Sequence, residues 1–358
     1  MRWANGCEMR VVCFGMLVGI LLSSGNARAD FVFGEPVNLG PPINVASDGC
    51  PVFTADGLSM FIESDRGGEW EVWLARRETL DAPWQEPVNV STHLGAGGGF
   101  APNISPDGLT LYFSSWREGG LGMADLYVTT RASEAEPWAE PINLGANVNS
   151  PTFEDGSQVS ADGLALYYTS DRFGTAWDLD IWMTLRANLS DAWTEAVKLG
   201  PNINTTAWDF GPHVLPGGRV MLFGSDRPGG VGGHDHWITR RATTSEPWGV
   251  PVNLGPAINS TADDRCPFLA ADGCVYFHSD RQGPAESFDI WKAPVQPVVD
   301  LDGDGAVDSE DICFMIDNWH TDDPRCDIGP TAFGDGVVDA EDLIVLVEHM
   351  TADTSAVE

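Results

Sequence analysis

The sequence predicts an all-β five-bladed β-propeller, its N-terminal strand completing the last blade, followed by a small α-helical, EF-hand-like domain. Three observations carry that prediction. A four-strand unit of about 55 residues recurs along the chain. The strand that should close the last unit is found instead before the first one. Beyond the last unit lies an acidic loop with calcium-ligand spacing.

The unit is clearest over Ser157–Asn204, where alternating apolar and aromatic segments are separated by turn chemistry. A tight hairpin turn joins its first two strands at Asp56-Gly57, Asp107-Gly108, Asp162-Gly163, Gly217-Gly218 and Asp272-Gly273. The second strand runs into Ser64-Asp65-Arg66, Ser170-Asp171-Arg172, Ser225-Asp226-Arg227 and Ser279-Asp280-Arg281, with the variant Ser115-Trp116-Arg117 in the second unit. An aromatic marks each third strand: Trp73, Tyr127, Trp182, Trp237 and Trp291. One such sheet cannot bury both faces, but a ring of them can.

The fourth strand decides how the ring closes. Segments like Pro-Val-Asn-Leu-Gly occur at Pro36–Gly40, Pro87–Val90, Pro141–Gly145, Ala196–Gly200 and Pro251–Gly255. The first precedes any unit, and the last unit ends near Pro294 without one. The N-terminal strand is therefore expected to complete the final blade, which also covers open sheet edges.

The Asp-Gly turn, the Ser-Asp-Arg element with its Gly-rich loop, the Asp-Ile-Trp strand and the Trp-x-x-Pro-Val-Asn-Leu-Gly strand together resemble the TolB-type, WD-repeat-like propeller repeat of secreted and periplasmic bacterial proteins. The resemblance spans about residues 31–295. It speaks for fold and says little of function, because one fold hosts many activities.

The chain carries 53 acidic residues against 19 Lys plus Arg, a net charge of −34. That sign argues against nucleic acid and anionic membrane surfaces as partners. Residues 1–29 read as a signal peptide: Arg2 and Arg10, an apolar run over Val11–Leu22, and Ala27-Arg28-Ala29 before Asp30. The run is too short to span a membrane, and the mature protein is expected to be secreted, periplasmic or cell-surface after cleavage near Ala29. Further boundaries are a propeller over 30–294, a linker over 295–299, a calcium-binding domain over 300–350 and a tail over 351–358.

Cysteines in an exported chain are disulfide candidates. Cys50 and Cys266 occupy equivalent positions before Pro51 and Pro267 in the first and last blades, so a bridge between them would staple the closure. Cys313 would then pair with Cys326, leaving Cys274 as a buried thiol.

Propeller topology aims one residue per blade at the channel: Asp48, Gly99, Glu154, Asp209 and Asp264. Three readings of this ring stand. The acids pair with Arg66, Arg172, Arg227 and Arg281 to hold blades together. Alternatively they form a cation or glycan site, with Trp116 as a stacking platform in the notch left by Gly99. Thirdly, two of them act as the carboxylate pair of a glycoside hydrolase. Repetition favours a structural role, so binding ranks ahead of catalysis. Gly233-His234-Asp235-His236 reads as a solvated loop rather than a metal site.

Asp300, Asp302, Asp304, Asp308 and Asp311 stand at positions 1, 3, 5, 9 and 12 of a calcium loop, with Gly305 at the turn and Ala306 at the backbone-carbonyl position. A degenerate copy offers Asp335, Val337, Asp339 and Asp342 at positions 5, 7, 9 and 12. Thr331 and Phe333 stand where its first ligands belong, and Asp327 is a substitute through a lengthened loop. Two calcium loop–helix units over residues 298–350 resemble a type I dockerin. That resemblance implies Ca²⁺ as cofactor, a cohesin-like protein partner and an extracellular role, often in polysaccharide degradation. The rival for this segment is a calcium-stabilised cap on the propeller itself.

Overall fold

A computed structural model describes residues 31–354, apart from 96, 173–177, 285–286, 302–306 and 308. The expected signal peptide lies outside the described residues, as do the expected ligands Asp302, Asp304, Ala306 and Asp308. Among the described residues, no helix is long and apolar enough to cross a membrane.

Five antiparallel sheets make up the body of the chain. The first blade consists of Asp48–Phe53, Ser59–Ser64, Glu71–Arg76 and Val88–Asn89. The second begins with Phe100–Ile104, the third with Glu154–Val159, the fourth with Asp209–Val214 and the fifth with Asp264–Leu269. As expected, the fifth blade is closed by the N-terminal segment, because Val37–Asn38 pairs with Trp291 and Lys292. The third strand of that blade runs from Asp289 to Pro297, so residues 295–297 are strand rather than linker. Their partner is Phe31–Phe33, which adds a fifth strand.

Each repeated polar residue has a repeated task. The acid opening the third strand accepts from the fourth strand: Asn38 to Asp289 at 2.8 Å, Asn143 to Asp125 at 2.8 Å and Lys198 to Asp180 at 2.5 Å. An arginine ending that strand donates to the hairpin carbonyl, as Arg131 does to Gly108 at 2.9 Å, and lies 4.4 Å from the Trp138 ring. These ties keep the two-residue fourth strands in register where little apolar area could. The apolar cores lie between neighbouring blades, around Phe61, Tyr168, Phe223 and Phe277, all fully buried.

The C-terminal segment contributes two helices, α1 (Ser309–Asp317) and α2 (Ala340–Thr354). Asp311 Oδ1 accepts the Leu301 amide at 2.6 Å, and Asp342 Oδ1 accepts the Ile328 amide at 2.6 Å. The correspondence aligns Asp327 with Asp300, which makes the second loop a lengthened copy of the first. Asp327 accepts the amides of Asp335 and Gly336, each at 2.8 Å. The added residues carry Phe333 into the propeller, where it is fully buried between Phe31 and Phe33.

Candidate functional site

The first strand of every blade is interrupted by a bulge near its start, after its second residue in four blades and after its first, Phe100, in the second blade. The bulged residues are Cys50, Ala101, Gly156, Gly211 and Cys266, all with φ between 43° and 57°. They form the neck of the channel together with the residues that follow them.

The repeated acids do not line the cavities that open from this neck. Asp48, Glu154, Asp209 and Asp264 are fully buried. Their arginine partners lie 2.5 Å away for Arg66, 3.2 Å for Arg172, 2.6 Å for Arg227 and 2.5 Å for Arg281. Each acid also accepts a backbone amide from the loop before it, as Glu154 does from Ser150 at 2.8 Å and Asp264 from Ser260 at 2.6 Å. The expectation that they face the channel is corrected. Their charge is consumed by blade-locking ion pairs, and no oxygen is left to point inward.

One residue further along, the chain stops repeating. The cross-strand pairs at the funnel level are Gly49–Glu63, Phe100–Ser114, Asp155–Thr169, Phe210–Gly224 and Arg265–His278. In three of these pairs the second-strand member reaches over to the next blade's bulge. Glu63 accepts the Ala101 amide at 2.9 Å, Thr169 accepts the Gly211 amide at 3.1 Å and His278 Nδ1 accepts the Cys50 amide at 2.9 Å. Position by position this ring is built alike, yet its chemistry differs in every blade.

Above the neck, Glu63, Asp155, Thr169, Phe210, Arg265 and His278 of this ring line a cavity of about 230 Å³. Its polar groups are Glu63, Asp155, Thr169, Arg265 and His278, and its walls include Trp70, Trp208, Phe210 and Phe288. Burial, and secondarily the nearby Asp155, pushes the Glu63 carboxyl up to about 7. Burial raises Asp155 to about 6 against a hydrogen bond from Ser114 at 2.9 Å. Burial also holds His278 well below its ordinary value, with Arg265 adding to the effect. Both carboxyls thus resist ionisation at the floor of one cavity. Arg265 is steadied by Asp263 at 2.6 Å and lies 5.0 Å from the Phe288 ring.

Trp116 stacks on Phe100, with ring centroids 3.9 Å apart and 17° between planes, and is 52% exposed. The notch expected beside Gly99 is not there, because the Phe113 ring fills the space a side chain at that position would take, and Trp116 stands on the Phe100 blade as an exposed ring. His234 and His236 do not belong to a solvated loop. His236 is fully buried in the third strand of the fourth blade against Phe277, and His234 lies 3.0 Å from Asp263. Desolvation lowers His236 to about 4 and His213 to about 3.

Cys50 and Cys266 are thiols with their sulfurs 2.9 Å apart, brought together as the repeat positions required but not bonded. Cys313 is exposed while Cys326 is buried, both as thiols, so the second expected pair is not formed. Cys274 is a buried thiol, as expected.

No protein-family model matches the chain, and no curated protein does. Solved structures share its fold. A thermostable family-43 glycoside hydrolase is 13% identical, with 72% of this chain and 91% of that one covered at a TM-score of 0.51. An endo-arabinase from Bacteroides thetaiotaomicron is 14% identical, with 75% and 97% covered at a TM-score of 0.50. TolB from Acinetobacter baumannii is 15% identical, with 70% and 56% covered at a TM-score of 0.42. At these identities the likeness to the glycoside hydrolase and the endo-arabinase is one of fold alone.

Proposed function

We propose that this is an exported propeller that binds a glycan in the funnel above the channel neck, carried by a calcium-dependent dockerin-like tail. The observation that carries the reading is the cavity itself: non-repeating polar groups at its floor, indole and phenyl rings on its walls. Sugars present apolar faces to such rings and hydroxyls to such polar groups. The exposed Trp116–Phe100 stack extends this surface toward a longer chain. A second reading is favoured by one feature. Glu63 and Asp155 come from different blades into one cavity, and glycoside hydrolysis uses two carboxyl groups flanking the bond. The family-43 hydrolase and the endo-arabinase named above act with the same fold, which makes arabinan-type polysaccharides the first glycans to try.

For the tail, the donor set fits calcium. Asp300, Asp311, Asp327, Asp335, Asp339 and Asp342 offer hard oxygens, and Asp327 and Asp342 are almost fully buried with their oxygens turned into the loop. Calcium would supply the charge that holds each loop closed. Ser309-Glu310 and Ala340-Glu341, which open the two helices, are exposed, and they are the pairs a cohesin-like partner would meet.

The test is calorimetric titration of the full chain with polysaccharides and their oligomers, beside an assay for released reducing ends. Binding is expected to weaken at least about 10-fold in Trp70→Ala and Trp208→Ala, the scale of one lost stacking contact. Release of reducing ends that disappears in Asp155→Asn would establish hydrolysis over simple binding. Absence of binding across arabinan, xylan and glucan series would overturn the glycan reading.

A further inference from the structure

We propose that Cys50, Cys266 and His278 form a binding site for a thiolate-preferring metal ion, of the zinc or copper(I) kind, at the neck of the channel. The inference does not depend on what the funnel above binds. One sulfur from the first blade, one sulfur from the fifth and one imidazole nitrogen lie within 4.8 Å of one another. The two sulfurs belong to residues 216 apart in the chain, so only closure of the ring brings them together.

The cost of placing side chains there marks the position. The equivalent residues of the third and fourth blades are glycines, with φ of 54° and 57°, and that of the second is Ala101, the smallest side chain, at 44°. Cys50 and Cys266 hold φ of 43° and 52° in the same left-handed region, which a side chain resists. The neck is narrow as well: a Cβ on Gly211 would lie 3.5 Å from the Cys266 sulfur. Glycine would serve the bulge better at both positions. What cysteine adds is sulfur at the channel neck.

The donor set selects the ion. Two thiolates and an imidazole suit zinc and copper(I), whereas calcium and magnesium demand oxygen ligands. The His278 Nδ1 lone pair, which accepts the Cys50 amide at 2.9 Å, is the third donor, and the ring proton resides on Nε2. An ion takes that lone pair in place of the amide, while the two thiol protons leave to solvent. Three protein ligands leave a tetrahedral ion one open position. The funnel, which Cys50, Cys266 and His278 line, supplies the entry path. Glu63 and Asp155 lie in the same cavity, and the guanidinium that lines it, Arg265, is paired with Asp263.

The experiment uses the full chain, reduced, stripped with chelator and then saturated with calcium so that oxygen-donor loops are filled. Cobalt(II) is titrated in as an optical probe. The expected result is a thiolate-to-cobalt charge-transfer band saturating at one ion per chain and bleached by zinc. Cys50→Gly and Cys266→Gly should abolish it. Both place the residue of the sibling blades at a glycine-like φ, so they are expected to fold, and melting curves check this. Cys274→Ser, remote from the neck, should leave the band intact. No band in folded, reduced protein overturns the proposal. So does a band that persists in Cys50→Gly, or a Cys50–Cys266 disulfide that forms in the presence of zinc.

Discussion

Replacing Arg227 with alanine is expected to lower the unfolding free energy by about 3–5 kcal/mol, the scale of a broken buried ion pair. Its guanidinium lies 2.6 Å from Asp209, whose side chain is fully buried. It also donates to the carbonyls of Asn202 at 3.0 Å and Ile203 at 2.5 Å, and covers the rings of Phe223 and Trp237. Truncation leaves a carboxylate inside the protein with only the Ser225 hydroxyl and the Thr205 amide and hydroxyl for company. The second blade supplies the control. Gly99 stands where the acid would be, so among the described residues Arg117 donates to Ser115 and the carbonyls of Leu94 and Gly98, and it covers the rings of Phe113 and Tyr127. Arg117→Ala strands no charge and should cost about 1–2 kcal/mol, the scale of its hydrogen bonds. Adding Asp209→Asn to Arg227→Ala should recover part of the loss, since a neutral amide is cheaper to bury unpaired. Urea unfolding of the four proteins measures all of this. Equal losses for Arg117 and Arg227 would show that packing, not the ion pair, sets the cost.

The same contrast explains what could be read from the chain in advance. Arg66, Arg172, Arg227 and Arg281 recur with their acids because each blade must solve the same problem of anchoring the loop that enters it. Recurrence is visible in one sequence, and so were the hairpin turns, the strand order and the closure by the N-terminal segment. The funnel was not visible for the opposite reason. Glu63, Asp155, Arg265 and His278 sit one residue beyond the repeated acids or their cross-strand partners, at positions that share a place and differ in kind. Their common location appears only once the register of each bulged first strand is known. The neck thiols fall between these cases: equivalence in the repeat put Cys50 opposite Cys266, while His278 came from a position with no repeated residue type.

Phe333 presents the second large expected effect. In the sequence it is a misfit, an aromatic ring where a calcium loop needs an early oxygen ligand. In the structure the misfit has a use. The lengthened loop pushes Phe333 among Phe31, Phe33, Leu215 and Val295, fully buried. Arg240 donates to its carbonyl at 3.4 Å and Arg219 to that of Gly336 at 3.0 Å. Phe333→Ala should therefore remove about 3–5 kcal/mol from the attachment of the tail, the scale of a buried ring lost to a cavity. Limited proteolysis should then cut after residue 297 far faster than in the parent chain, leaving the five blades intact. The loop proposed to bind calcium is also the one that docks. Asp327 grips the amides of Asp335 and Gly336, and the Gly336 carbonyl is the one that Arg219 holds. A loop organised by calcium presents Phe333 ready to dock, and a docked Phe333 organises the loop, so each favours the other by the same factor. Chelating calcium should accordingly reproduce the protease sensitivity of Phe333→Ala, and that variant should bind calcium at its second loop about 10-fold more weakly. If chelation leaves the parent chain resistant while Phe333→Ala does not, the tail is held by its aromatic anchor alone and the loop is not calcium-dependent.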